Sequence, residues 1–138
     1  MRKGLSLLWA LWLFCLLAGT ALATPEQRQA YAENPEFVPV YVYEDGECFL
    51  ELASVSAEEY APPRYQISGD THFISDSTSG IATRHMTFRY NYDEQVIYIK
   101  GTDGKWYWLN PDENSISLCQ IVLADFMFQQ CYNMPFVR

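Results

Sequence analysis

The chain has few basic residues, nine Lys and Arg against 17 Asp and Glu, and its net charge is −8. Nucleic acids and anionic membrane surfaces are bound through clusters of Lys and Arg, so this charge balance argues against both as partners. An acidic surplus instead suits solubility or a cationic protein partner. We therefore expect no nucleic-acid partner.

Histidine is also scarce, since His72 and His85 are the only two in the chain. They fall on adjacent predicted strands, with Asp70 and Asp76 nearby. Two histidines with scattered acidic residues fall short of the roughly three or four convergent ligands that a metal site requires. Both histidines alternate with polar residues, as ordinary surface positions on strands do. The sequence therefore predicts no metal and no cofactor.

Motifs of catalysis are missing as well. There is no Gly-x-Ser-x-Gly turn and no phosphate-binding glycine loop, since GTDG at 101–104 is typical of a hairpin turn. Ser75, Ser77 and Ser79 lie near His72, but clusters of Ser, Thr, Asp and Gly are characteristic of turns. No nucleophile, base and acid combine in a recognisable pattern, so we expect that the protein is not an enzyme.

The first 23 residues have the three parts of a secretory signal peptide. Arg2 and Lys3 form the positive start, 5–17 the apolar run, and Ala-Leu-Ala at 21–23 the cleavage site. The apolar run is shorter than the ~20 residues that a membrane-spanning helix needs. We expect cleavage after residue 23, export to the periplasm, cell surface or extracellular space, and no membrane insertion after cleavage.

The remaining chain is expected to form one domain. Cleavage of the leader leaves 115 of the 138 residues. Because Arg2 and Lys3 are lost with it, seven basic and 17 acidic residues remain, and the net charge becomes −10. That length suits a single core. The polar segment 24–37 predicts a mobile N-terminal leader or a short frayed helix. The folded domain is expected over 38–138.

Short alternating runs between turn signals predict an antiparallel meander. Asp45-Gly46 joins the first two runs as a hairpin, and 54–63 is expected to be a loop ending at two prolines. The six predicted strands are 38–44, 47–53, 64–75, 82–92, 95–100 and 105–110. In the fourth, one side carries Met86, Phe88, Tyr90 and Tyr92, and the polar side carries His85, Thr87, Arg89 and Asn91.

A C-terminal helix is predicted after the strands. Asp112, Asn114 and Ser115 offer capping oxygens, and no Gly or Pro follows before Pro135. One broad arc of the helix contains Ile116, Leu123, Ala124, Met127, Phe128 and Cys131. The predicted fold class is therefore α+β, a six-stranded antiparallel meander with the 115–132 helix packed on one face.

Three cysteines follow the leader, and export to an oxidising compartment favours a disulfide between two of them. Cys119 and Cys131 are about 18 Å apart along the helix, too far for a bond that needs Cα atoms within about 7 Å. A helix that begins where the sixth strand ends brings Cys131 to the level of Cys48. We therefore expect Cys48 bonded to Cys131 and Cys119 as a buried thiol, with Cys48 to Cys119 as the open alternative.

Trp106, Tyr107 and Trp108 lie together in the last predicted strand. Because side chains alternate along a strand, either the two tryptophans or Tyr107 with Leu109 face the helix. Whichever group lies outside offers a stacking surface for glycans or peptides. Large aromatics dominate cores, so we expect the tryptophan pair beneath the helix.

The order of these motifs resembles a known family. VYVYEDGECFLELASV at 40–55, the YNY to LNP segment at 90–111 and ADFMFQQCYNMPF at 124–136 are similar to small exported domains of the surface-adhesin protein E type. They are also similar to secreted proteins of anaerobic diderm Firmicutes. The resemblance spans about residues 38–136. It implies a sheet tied to a C-terminal helix by a disulfide and a surface that binds host matrix proteins, without assigning binding residues.

The sequence thus favours an exported, non-enzymatic binding or envelope-associated module, adhesin-like through the resemblance, with a protein or glycan partner. The alternative is a small acidic periplasmic inhibitor of a cationic enzyme such as a lysozyme. A net charge of −10 after cleavage would attract a basic target of that kind.

Overall fold

The computed structural model describes residues 25–43, 46–75 and 80–138. The fold is α+β, an antiparallel sheet of seven strands with a short N-terminal helix and a C-terminal helix. The predicted signal peptide at 1–23 and Asp45 of the predicted hairpin lie outside the described residues. Neither of the described helices is long and apolar enough to span a membrane.

Neighbouring strands of the sheet follow chain order except at one strand. The strands are β1 (Phe37–Tyr43), β2 (Gly46–Glu51), β3 (Ser56–Ala61), β4 (Arg64–Ser75), β5 (Ile81–Asn91), β6 (Val96–Lys100) and β7 (Trp106–Trp108). The helices are α1 (Pro25–Glu33) and α2 (Ser115–Tyr132), and a 3-10 turn lies at Leu52–Ser54. Neighbours in the sheet are β1-β2-β4-β5-β6-β7, and β3 pairs with β4. The prediction of an antiparallel sheet with a C-terminal helix is confirmed.

The segment 54–63, expected to be a loop, contains strand β3. Ser56 of β3 lies opposite Ser68 of β4, whereas Leu50 of β2 lies opposite Thr71 of the same strand. β2 and β3 therefore lie end to end along one edge of β4, which at 12 residues is long enough for both. The prediction of six strands is wrong by this one strand, because the exposed sequence SAEEYA lacks the apolar alternation of a half-buried strand.

The main core lies between the sheet and α2. Phe88, Ile67 and Leu50 of the sheet are fully buried, as are Met127 and Phe128 of α2. Along β5 Met86, Phe88 and Tyr90 are buried as the alternation predicted, and Thr87 on the polar side of the strand is buried as well. The apolar side of β5 is therefore assigned correctly from sequence alone.

Helix α2 begins and ends as predicted. The Asn114 side chain accepts a hydrogen bond from the Ser117 backbone N–H at 2.9 Å. The helix ends where Asn133 adopts a left-handed conformation with φ of 53°. Ile116, expected on the buried arc, is 61% exposed, because it lies at the open rim of a cavity at the start of the helix.

The direction of α2 across the sheet is opposite to the expected one. Cys119 lines a cavity with Cys48 and with Phe73 near the end of β4. Further along the helix, Phe128 packs on Tyr65 at the start of β4, with ring centroids 5.1 Å apart. The helix therefore runs antiparallel to β4, because the chain first returns along the sheet before residue 115.

The direction of α2 determines which of its cysteines lies near Cys48. Cys48, Cys119 and Cys131 are all free, so the expected bond between Cys48 and Cys131 is not present. Cys119 is buried, as predicted, but it occupies the cavity that Cys48 also lines. Cys131 lies about 18 Å further along α2 and packs against the main core.

Helix α1 covers one end of the other side of the sheet. The Tyr31 ring lies 4.7 Å from that of Phe37 and 5.6 Å from that of Phe49, measured between centroids. Phe49 and Ile74 form a second small buried cluster there. Arg28 also donates a hydrogen bond to the Ser75 carbonyl at 3.0 Å. Of the two alternatives predicted for 24–37, the structure has a helix.

Substitution of Met127 tests which face of α2 is buried against the sheet. Its side chain is fully buried over Gly69, so Met127→Asp places an unpaired carboxylate in the core. We expect the free energy of unfolding to fall by about 3 kcal/mol or more. The matched control Val122→Asp, on the same helix but 44% exposed, should change it by about 0.5 kcal/mol or less. Urea denaturation followed by circular dichroism measures both, and equal midpoints would contradict this orientation of α2.

Candidate functional site

The tryptophans of β7 face away from α2. Leu109 is 5% exposed and belongs to the core, and Tyr107, two residues earlier, lies opposite Ile99 on the same side of the sheet. Alternation along the strand places Trp106 and Trp108 on the other side. The expectation that the tryptophan pair packs beneath the helix is therefore wrong, because Leu109 takes that place.

On the outer side of the sheet, the side that faces away from α2, exposed aromatic side chains lie next to the guanidinium of an arginine. Trp108 lies directly opposite Tyr98 of β6, and their side chains are 53% and 38% exposed. Arg89 of β5 lies opposite Tyr98, and its guanidinium carbon is 4.0 Å from the centroid of the Trp106 ring. We call Arg89, Tyr98, Trp106 and Trp108 the aromatic face.

Hydrogen bonds fix the guanidinium of the aromatic face. Arg89 Nε donates to Gln66 Oε1 at 2.9 Å, and Gln66 Nε2 donates to Glu58 Oε2 at 2.5 Å. Hydrogen bonds from Ser68 and Gln66 lower the pKa of Glu58, so this carboxyl stays ionised at neutral pH. The cation–π contact with Trp106 adds about 0.5–1 kcal/mol at an exposed site. Side chains from β3, β4, β5 and β7 are thus held in one arrangement.

Tyr107 belongs to a different part of the surface. It is 49% exposed on the α2 side, and its hydroxyl donates a short hydrogen bond to the Asp103 carboxylate. This bond lowers the pKa of Asp103 and raises that of Tyr107. Tyr107 therefore stabilises the turn at 101–104. The predicted binding set of Trp106, Tyr107 and Trp108 is divided between the two sides of the sheet.

His72 lies beneath α1, and its side chain is 12% exposed. Its Nε2 is 2.9 Å from Glu51 Oε2, and its Nδ1 is 3.1 Å from Thr83 Oγ1 and 3.3 Å from the Tyr31 hydroxyl. With Nε2–H donating to the carboxylate, Nδ1 accepts from the hydroxyls. The prediction that His72 is an ordinary surface position is wrong, because α1 covers it.

The order Glu51, His72, Thr83 matches the acid, base and hydroxyl roles of a hydrolytic triad. The surroundings favour a structural role. Tyr31 competes with Thr83 for Nδ1, and the rings of Tyr31 and Phe37 lie 5.5 and 5.2 Å from the imidazole. The imidazole is thus packed between aromatic rings, where it joins α1 to the sheet.

His85 forms a separate surface pair with Asp70. His85 Nδ1 is 2.6 Å from Asp70 Oδ1, and the two side chains are 60% and 37% exposed. His72 and His85 lie on the same side of β4 and β5, but each contacts its own carboxylate. Within 25–43, 46–75 and 80–138, no group of three or more His, Cys, Asp or Glu side chains could hold a metal ion.

Sequence analysis found part of the aromatic face. It singled out both tryptophans and placed Arg89 on the polar side of its strand. The sequence also contains a signal for Tyr98, because it alternates with Ile97 and Ile99 and is therefore predicted to point away from the core. No local signal brings Arg89 to Trp106, because that contact depends on sheet register.

Comparison of the chain with protein-family models, curated proteins and solved structures gives no match. The resemblance to the protein E type of adhesin therefore stays a prediction from the sequence. A function for the chain has to be inferred from its described side chains.

The two histidines form a matched pair for testing the role of α1. His72→Ala removes contacts to Tyr31 and Glu51 and should lower the free energy of unfolding by about 1–2 kcal/mol. His85→Ala, at an exposed position, should change it by about 0.5 kcal/mol or less. Thermal unfolding measures both values.

Limited trypsin digestion of the same two variants reports on α1 directly. Cleavage after Arg28 should be faster in His72→Ala than in the native protein and unchanged in His85→Ala, because only His72 contacts α1. Equal effects of the two changes would contradict this role of His72.

Proposed function

We propose that this protein is an exported, non-enzymatic binding module that holds a partner protein of the envelope or host surface through its aromatic face. The observation that carries the proposal is the Tyr98 and Trp108 pair. The two rings lie directly opposite each other on a sheet, yet remain 38% and 53% exposed.

The residue types of the aromatic face favour a protein partner. Trp, Tyr and Arg are the side chains that contribute most to the energy of protein interfaces. Here two tryptophans, one tyrosine and one arginine occupy neighbouring positions on three strands. Large apolar rings that water reaches release free energy when a partner covers them.

The position of α1 supports the choice of this surface. α1 packs at the Phe49 and Ile74 end of the outer side, whereas the aromatic face lies at the β6 and β7 end. The Gln66 and Arg89 hydrogen bond holds the guanidinium before a partner arrives. A surface that is ordered in advance loses less side-chain entropy on binding.

The chemistry of the aromatic face suits binding. Its groups are aromatic rings and a guanidinium that cannot be deprotonated in proteins, and such groups recognise a partner by stacking and hydrogen bonding. The predicted leader would deliver such a module outside the cytoplasm. The resemblance to the protein E type of adhesin points to host matrix proteins as the partner class.

The acidic charge favours inhibition of a cationic enzyme as the second candidate. The mature chain would carry −10, and β3 presents Glu58 and Glu59 at exposed positions. Binding of that kind is electrostatic, so it weakens with ionic strength and does not depend on Trp108.

Trp108→Ala tests the aromatic face. Surface plasmon resonance of the mature protein against laminin, fibronectin, egg-white lysozyme and soluble peptidoglycan fragments should show binding to a matrix protein. Trp108→Ala should raise the Kd for that protein about tenfold or more, as loss of an interface hot spot does. Trp108→Phe, which keeps an aromatic ring, should recover most of the affinity.

The matched control is Leu118→Ala, which changes a side chain that is 50% exposed on α2, and it should leave the Kd unchanged. Lysozyme binding that survives Trp108→Ala and disappears in 0.5 M salt, roughly three times physiological ionic strength, would favour the inhibitor. Binding confined to the peptidoglycan fragments, or a matrix Kd that Trp108→Ala does not change, would contradict the proposal.

A further inference from the structure

An apolar cavity of about 280 Å³ separates the first turns of α2 from the sheet. Cys48 of β2 and Cys119 of α2 both line it, so two free thiols from different elements share one cavity. The cavity lies on the α2 side of the sheet. The aromatic face lies on the other side and contributes no side chain to the cavity lining.

Tyr41 is a neighbour of both cysteines. It lies directly opposite Cys48 in the pairing of β1 with β2, and directly opposed side chains have Cβ atoms about 4.5–5.5 Å apart. The Tyr41 hydroxyl hydrogen-bonds to the Cys119 side chain. Cys119 thus contacts the immediate neighbour of Cys48, whereas Cys131 lies about 18 Å further along the helix.

We propose that Cys48 and Cys119 are a redox pair, and that oxidation joins their sulfur atoms in a disulfide between β2 and the first turns of α2. The sequence favoured Cys131 as the helix cysteine of the bond. The observed direction of α2 assigns that role to Cys119, twelve positions earlier in the chain.

The reaction is thiol–disulfide exchange with an oxidised dithiol or with glutathione disulfide. One thiolate attacks the external disulfide and displaces one thiol, and the second thiolate then attacks the mixed disulfide and displaces the other. The sulfur–sulfur bond of the oxidant breaks and the bond between Cys48 and Cys119 forms. Two electrons and the two thiol protons pass to the oxidant, which leaves as two thiols.

Both cysteines act once as the attacking thiolate, whichever reacts first, so Cys48 must ionise. Burial raises the pKa of Cys48 from the usual 9.0 to about 11, and Cys119 adds to the rise. The neighbouring Arg84 and a hydrogen bond from Thr71 act in the opposite direction. Tyr41, the other titratable neighbour, stays neutral because its own pKa is raised. At pH 7 only about one Cys48 in 10⁴ is a thiolate, so the reaction should accelerate with rising pH.

Peptide mapping of the mature protein after treatment with glutathione disulfide tests the pair. Trypsin alone leaves Cys119 and Cys131 in one peptide, so endoproteinase Asp-N is added to cut before Asp125. Under non-reducing conditions we expect peptide 45–64 linked to 112–124. A link between 45–64 and 125–138, or three cysteines that all remain free, would overturn the proposal.

Thermal unfolding of single-cysteine variants gives an independent readout. Oxidation should raise the Tm by about 10 °C or more in the native protein, because the bond closes a long loop of the unfolded chain. Cys131→Ser should keep that rise, and Cys119→Ser and Cys48→Ser should each lose it. Oxidation of Cys131→Ser should also accelerate about tenfold per pH unit from pH 7 to 9. If Cys131→Ser abolished the rise in Tm on oxidation, Cys119 would be excluded as the disulfide partner of Cys48.

Discussion

The register between β4 and β5 is the constraint on which the rest of the structure depends. It runs without a break from Arg64 opposite Asn91 to Ile74 opposite Ile81. Because the side-chain period of a strand is two, a slip by one residue would move every side chain of β5 to the opposite side of the sheet. Phe88 would leave the core and Arg89 would enter it. Both α2 and the aromatic face rely on this one alignment.

The length of β4 gives the sheet its other unusual property. Ile67 and Ile74 lie seven positions apart on β4 and therefore face opposite sides, and both are fully buried. One is covered by α2 and the other lies in the small cluster beneath α1. A single strand thus supports two cores at its two ends, and this arrangement leaves the outer side open at the β6 and β7 end.

Local signals in the sequence predict what depends on neighbours along the chain. Asn114 and the absence of Gly or Pro set the limits of α2, and alternation sets the two sides of β5. Features that depend on distant contacts were not predictable in this way. β3 pairs with β4 through its backbone and carries no apolar pattern. His72 is largely buried only because α1 packs on it. The direction of α2 depends on the path of 109–114, which no propensity encodes.

The side chains that attach α2 and those proposed to bind a partner lie on opposite sides of the sheet. On the α2 side, Cys48 and Cys119 face a cavity whose closure would tie the helix to β2 without altering the outer side chains. On the outer side, Arg89 is already held by Gln66 and stacked on Trp106. The backbone hydrogen bonds of the sheet lie between these two sets of contacts. Oxidation should therefore change how firmly α2 is attached while leaving the affinity of the aromatic face for its partner unchanged.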